Sequence, residues 1–479
     1  MLGYPDALRR HQDRFRADPL PYLELGAIPA ALLAGAAVVA APSLAKLLIP
    51  LLVALVVIAI DARALVDLTV IAAFATLPAN IDTGKDLGLV TVLGYEALGL
   101  VAVVYLHRVV RPKPAEMWCV GAFAVVWLVA LLSGIDAGND DWRIAREAQF
   151  LWDAMLGLYL ATLVVRAGLV RRTAIVLGVV LWVSAGLILL ASATGFELAG
   201  RAEAVSLGAH KVTEATRLIT NTQMVSAAVL CALVAMFLLR VRLGAFAALA
   251  PPAALITLLS FSRNAILAIA VATVAAVLLA RTSAALVRGT ALLAAGAALV
   301  LIGLPVLGAA TEDTPAGTWI EHQQKGFSTR VLAGVAQSST TDSSLRARLD
   351  EDANLLRAID AAPLQGHGLG YRYQAPFGPP DEFPATFGPS YAHNFYLWWL
   401  VKAGLVGMAG FAVFALVPVL AGIRSRAAPA TAATAVSVAL LCVSAVAPLP
   451  LDPVNSFLLG TVLGTALGLA TTREATCEH

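Results

Sequence analysis

The residues best suited to chemistry lie in the C-terminal half of the chain. His393 and Asn394 stand side by side at the start of an apolar run that continues with Phe395, Tyr396, Trp398 and Trp399, which read as an aromatic belt at the outer interface. A histidine at a water boundary changes charge near neutral pH, so its neutral imidazole can take a proton from a hydroxyl. The alternative is that the pair caps a helix, for which Asn is favoured. Arginines form the second group. Ser262-Arg263-Asn264 opens one apolar run, Arg217 with Asn221 opens another, and Arg346 and Arg348 lie in a polar stretch. Guanidinium groups are always charged and make bidentate contacts, which suits a diphosphate; the alternative is snorkelling at helix ends. Gly366, Gly368 and Gly370 alternate with His367 and Leu369. Such glycines let backbone approach a ligand or another backbone closely. No strand precedes them and no helix opens from the third, so they are not a nucleotide-binding fingerprint.

These residues must be positioned by membrane helices. The chain has 479 residues, 59% hydrophobic and 13% charged, with mean hydropathy +0.82, whereas a soluble domain carries about a quarter charged residues. Apolar runs recur at roughly 25–41, 44–60, 64–79, 87–107, 115–133, 145–165, 173–193, 219–240, 243–261, 264–281, 288–309, 392–421, 428–448 and 453–470, many near the ~20 residues that a spanning helix needs. They are continuous and do not alternate, which favours helices over a barrel. The expected fold is all-α: a polytopic bundle of about 14 (12–14) spans. It divides into a cytoplasmic segment 1–24, a transmembrane bundle 25–309, a large extracytoplasmic loop 310–391, C-terminal transmembrane helices 392–470 and a cytoplasmic tail 471–479. With the N-terminus inside, every inner connection is basic, as at Arg108, Arg111 and Lys113 or Arg166, Arg171 and Arg172. The short outer ones are lean or acidic, as at Asp136, Asp140 and Asp141, in line with the positive-inside rule.

Two outer loops are long, 194–217 and 310–391. In the second, Ser343 to Ala361 reads as a helix: Leu345, Leu349, Ala353, Leu356 and Ile359 recur at three- and four-residue spacing, and Pro363 with Gly366 stops it. That apolar face suits the membrane or the span ends, and Arg346, Asp350 and Arg357 lie opposite. Prolines 376, 379, 380, 384 and 389 then impose an extended coil. Glu96, near the middle of its run, and Asp153 and Asp67 in theirs are intramembrane acids; isolated as they are, they read as interhelical hydrogen-bonding groups. The four cysteines show no metal-ligand spacing. The net charge of +2 says little by itself, and no nucleic-acid partner is expected.

Pro363-Leu364-Gln365-Gly366-His367-Gly368-Leu369-Gly370, then a loop, then His393-Asn394-Phe395-Tyr396-Leu397 and Gly404-Leu405-Val406-Gly407 resembles the signature domain of the O-antigen ligase and O-antigen polymerase superfamily. Ser344-Leu345-Arg346 and Ser262-Arg263-Asn264-Ala265 are similar to the same pattern. The resemblance is close over about residues 215–420. It implies a GT-C-like, metal-independent, inverting glycosyltransferase in the bacterial cytoplasmic membrane, working on the outer face. Such an enzyme moves a glycan from a polyprenyl-diphosphate carrier to a hydroxyl on a glycan, lipid or other acceptor, with no nucleotide or metal cofactor. It implies His393 as general base, Arg263 and Arg217 on the diphosphate, and Arg346 and Asn394 as further substrate-binding residues. The family often has a glycine three residues after the first arginine, where this chain has Thr220. Two alternatives stay open: a polysaccharide polymerase, and a small-anion or solute transporter, which calls for broken spans at matching depths in two halves. Pro251-Pro252 interrupts one run, and no counterpart is visible.

Overall fold

A computed structural model describes residues 58, 61–81, 84–86, 91–206, 213–303, 306, 314–328, 331, 343–374, 388–425 and 427–477. Segment 1–24 and the runs at 25–41 and 44–60, residue 58 aside, lie outside them. From residue 64 onward each apolar run contains helix. The helices are α1 (Ala64–Phe74), α2 (Gly94–Val109), α3 (Pro114–Asp136), α4 (Asp141–Arg166), α5 (Val170–Thr194) and α6 (Thr222–Leu238), then α7 (Ala250–Leu259), α8 (Arg263–Ala280) and α9 (Ser283–Ala298). After α10 (Pro315–Phe327) and α11 (Ser343–Ala361) in the long loop come α12 (Phe395–Arg424), α13 (Ala428–Val443) and α14 (Pro453–Cys477). Among the described residues, six helices are long and apolar enough to cross a membrane: α4, α5, α8, α12 and most of α3 and α14. The chain is therefore mostly helical and built for a membrane.

The long stretch before α6, expected to be loop, contains an antiparallel ribbon, β3 (Arg201–Ser206) with β4 (Thr213–Ile219), after a shorter one, β1 (Gly84–Asp86) with β2 (Thr91–Leu93). Strand β4 carries Arg217 towards the helices.

The centre is α4 packed along α14. Gly460 and Gly464, four residues apart, make this possible: a Cβ there would lie 2.0 Å from the Ala154 carbonyl and 2.1 Å from that of Leu158. Small residues at this spacing let membrane helices meet backbone to backbone.

Helix α12 is broken one-third of the way along, at Gly404 (φ 61°, ψ −163°). The groups freed by the break are taken by the glycine-rich stretch. The amides of His367 and Gly368 donate to the carbonyls of Val401 and Lys402 at 2.9 Å, and those of Leu405 and Val406 donate to Pro363 (2.9 Å) and Leu364 (3.1 Å). A Cβ on Gly366 would sit 2.5 Å from the Lys402 carbonyl, so glycine is required by this approach. The Leu369 amide reaches the Ala130 carbonyl on α3 (2.9 Å), and Asn139 Nδ2 donates to the carbonyls of His367 and Leu369. Of the two uses expected for the glycines, the structure shows backbone meeting backbone.

Two expectations are corrected. Phe395, Trp398 and Trp399 are fully buried and do not form an interfacial belt; they pack among Phe411 and Phe123, and the exposed tryptophans are Trp118, Trp142, Trp152 and Trp182. Helix α11 has the expected bounds. Among its described side chains Glu351, Leu355 and Ala358 are buried against the protein, while Leu349 and Leu356, on the stripe expected to face the membrane or the span ends, are more than half exposed. Glu96 is not mid-span: α2 begins at Gly94, and Glu96 closes its first turn by accepting from the Leu93 amide (2.7 Å) and from Gln149 on α4 (2.7 Å). The latter is the interhelical bond expected of it. Asp67 likewise pairs with Arg172 on α5, whereas neither oxygen of the buried Asp153 has a hydrogen-bond partner among the described residues.

Candidate active site

His393 sits immediately before α12, where Asn394 caps the helix. The Asn394 Oδ1 accepts from the amides of Tyr396 (3.1 Å) and Leu397 (3.3 Å), so this oxygen is committed to the cap and only the Nδ2 group remains to meet a substrate. The imidazole of His393 is held by a carboxylate that sequence reasoning missed. Glu351, on the buried face of α11, lies with its oxygens 3.2 and 3.3 Å from His393 Nδ1 and accepts the His393 backbone amide at 2.5 Å. The Glu351 side chain is 10% exposed and that of His393 33%. A carboxylate at Nδ1 favours the tautomer with hydrogen on that nitrogen and leaves the lone pair on Nε2. Nε2 has no hydrogen-bond partner among the described residues, and the Tyr391 ring stands edge-on to the imidazole at 5.4 Å. Burial, and after it the Glu351 carboxylate, raise the Asp352 carboxyl above its usual range. The second histidine of the motif is used structurally: His367 Nε2 lies 2.8 Å from the Ala358 carbonyl and its ring stacks on Tyr371 at 4.0 Å.

Arg217 and Arg263 come together through one turn. The Arg217 Nε donates to the carbonyl of Ser260 at 2.8 Å, and Ser260 ends α7 three residues before Arg263. Between them Phe261 has φ 45°, a left-handed conformation that is strained for an aromatic residue. It is held by burial against Phe327 of α10. Ser262 then caps α8 by accepting from the Ala265 amide, which places Arg263 in the first helical turn. Anions favour this position because the helix dipole and unpaired amides point outward there. Arg346 lies on α11; its side chain is outside the described residues.

Two neighbouring cavities open here. One, of about 280 Å³, is walled by Arg217, Asn264, Gln223, Tyr391, Asn455 and Arg146, among others. The other, of about 170 Å³, is walled by Trp142, Phe150, Trp398, Tyr391, Arg143 and Arg146. Arg263 and His393 are not wall residues themselves, but their chain neighbours Asn264 and Tyr391 are. Beneath the second cavity, Lys402 of α12 is fully buried and donates to Glu147 of α4 (2.8 Å) and to the Tyr371 carbonyl (2.7 Å). Glu147 in turn accepts from the Gly370 amide at 2.6 Å. Lys402 and Glu147 are the charges of opposite sign inside two apolar runs, and that contrast was the available signal for finding them.

No curated protein matches the chain. Residues 245–412, with Arg263, Glu351 and His393 among them, match the family model described as O-antigen ligase.

Proposed function

We propose that this membrane protein transfers a glycan from a polyprenyl-diphosphate carrier to an acceptor hydroxyl, on the extracytoplasmic face of a bacterial cytoplasmic membrane. The observation that carries the reading is the Glu351–His393 pair within the matched segment. It is the arrangement of an oriented base, with Arg217 opening onto the adjoining cavity. In the reaction, His393 Nε2 takes the proton of the acceptor hydroxyl as its oxygen attacks the anomeric carbon. The bond from that carbon to the phosphate oxygen breaks, and the electron pair leaves with the polyprenyl diphosphate, whose charge Arg217 and Arg263 hold. A single displacement inverts the anomeric centre. Diphosphate is already a good leaving group, so a base and fixed cations supply what the transition state requires, with no role for a metal or nucleotide.

The test is transfer by the purified chain in proteoliposomes, using a polyprenyl-diphosphate-linked oligosaccharide and a hydroxyl acceptor. Release of polyprenyl diphosphate in step with product formation is expected, and EDTA leaves the rate unchanged. No transfer, with anion uptake by the same vesicles, would instead establish a carrier. The gap in α12 gives that alternative no support, since the protein's own loop fills it.

Glu351 acts in this scheme through His393, as a positioning residue. Glu351→Gln keeps an acceptor for the backbone amide but weakens the hold on Nδ1. It is expected to lower kcat about ten-fold or more with little change in KM, and Glu351→Asp to recover part of the loss. Equal effects on kcat and KM, without recovery in the Asp variant, would mean a purely structural role.

A further inference from the structure

Arg146 is the one wall residue of both cavities that carries a positive charge, and neither the family match nor the reaction scheme uses it. It stands on α4 between two aromatic rings, its guanidinium carbon 5.3 Å from the centre of Trp142 and 5.7 Å from that of Phe150. These contacts pack the group against two rings but use none of its five N–H donors. Among the described residues the guanidinium has no hydrogen bond and no ion pair within 4.0 Å; its electrostatic partner is Asp452. The neighbouring Arg143, by contrast, donates to Ser390 (2.8 Å) and lies 4.0 Å from Asp140. Asp452, a wall residue of the larger cavity, attracts the guanidinium but lies beyond ion-pair distance, so none of the N–H donors is met by a carboxylate, and an external anion could take them. The cavity on one side of Arg146 is the one onto which Arg217 opens.

We propose that Arg146 is a third anion-binding residue, taking a phosphate oxygen of a prenyl diphosphate seated between it and Arg217. The proposal rests on the diphosphate reading above and extends it to a helix outside the matched segment. A phospholipid headgroup offers the same phosphate chemistry, so the experiment separates the two sources.

The full-length protein in detergent is titrated with farnesyl diphosphate, and with farnesol as the uncharged control. The wild type is expected to bind the diphosphate and not the alcohol. Arg146→Ala should weaken binding about ten-fold or more, the loss of one charge-assisted hydrogen bond, with Arg146→Lys between the two. Added phosphatidylglycerol should not displace the probe. Since Arg146→Ala could perturb α4, its elution profile and unliganded unfolding temperature are compared with the wild type, and the Lys variant keeps the test open if the Ala variant fails to fold. Unchanged affinity in a folded Arg146→Ala protein, with a loss in Arg217→Ala, would overturn the proposal and leave the diphosphate reading standing. Displacement by phosphatidylglycerol at equal potency would reassign the site to a headgroup. If the wild type binds neither ligand, the diphosphate reading falls and this inference with it.

Discussion

His393→Ala removes glycan transfer while leaving the fold intact. A positioned general base contributes about 100- to 10,000-fold, and the motif's second histidine is not free to replace it. His367, the other histidine of the motif, is engaged with the Ala358 carbonyl and stacked on Tyr371. The fold should survive because the imidazole is one-third exposed, and the cap that starts α12 belongs to Asn394. Glu351 keeps its bond to the backbone amide of residue 393 in the variant. The measurement is the rate of product formation with purified donor and acceptor, alongside elution profile and circular dichroism. The pH profile adds an independent readout. The base acts when neutral, so the wild-type rate should fall as acid protonates it, and that acid limb should be missing from any residual activity of the variant. A full transfer rate in a folded His393→Ala protein would remove this residue from the mechanism.

The parts of this site differ in how far the sequence revealed them, and the differences have physical causes. Helices in apolar runs were legible from residue 64 onward because membrane burial demands long uninterrupted hydrophobic stretches. Which face of a helix packs inward was not. Apolar periodicity marks Leu349 and Leu356 as one stripe of α11, suited to the membrane or the span ends; these side chains are exposed, and the face packed against the protein carries Glu351. Periodicity measures hydrophobicity, and it is misleading where a buried polar contact orients a helix or where the surroundings are themselves apolar. Trp398 and Trp399 were misread for the same reason: sequence reports their character but not whether lipid or protein lies against them. The glycines at 366, 368 and 370 were legible as a close approach, whereas their partner was not, because it is the break at Gly404 far along the chain. His393, Arg217 and Arg263 were found through motif and topology. Glu351, Arg146 and the Lys402–Glu147 pair were not, since what distinguishes them is a partner or a cavity that only the folded chain supplies.

Lys402→Met, which does not touch any proposed substrate contact, should nonetheless be among the most damaging single changes. Met closely matches the length of the stem that it replaces, so little cavity is left, and the cost is electrostatic. Glu147 would stay 7% exposed with a single remaining hydrogen-bond partner among the described residues, the Gly370 amide, and the Tyr371 carbonyl would lose the donor 2.7 Å away. Removing one partner of a buried ion pair costs about 3–5 kcal/mol because the other charge stays behind uncompensated. Lys402→Met with Glu147→Gln removes both charges, and the amide can still accept from Gly370, so the double variant should be more stable than Lys402→Met alone. Thermal unfolding in detergent is therefore expected to rank wild type first, the double variant second and Lys402→Met last. A Lys402→Met protein as stable as wild type would show that the pair adds nothing to the fold. The consequence for function follows from where the pair acts. Lys402 and Glu147 anchor Gly370 and Tyr371, the end of the stretch that plugs the break in α12, and Trp398 one turn earlier donates to the carbonyl of Ser390 at 2.8 Å. Ser390 and Tyr391 lead directly into His393 and wall the cavity that Arg146 shares. Loosening the anchor should thus lower transfer in step with stability, whereas His393→Ala should lower transfer alone, and that contrast separates the support of the site from its chemistry.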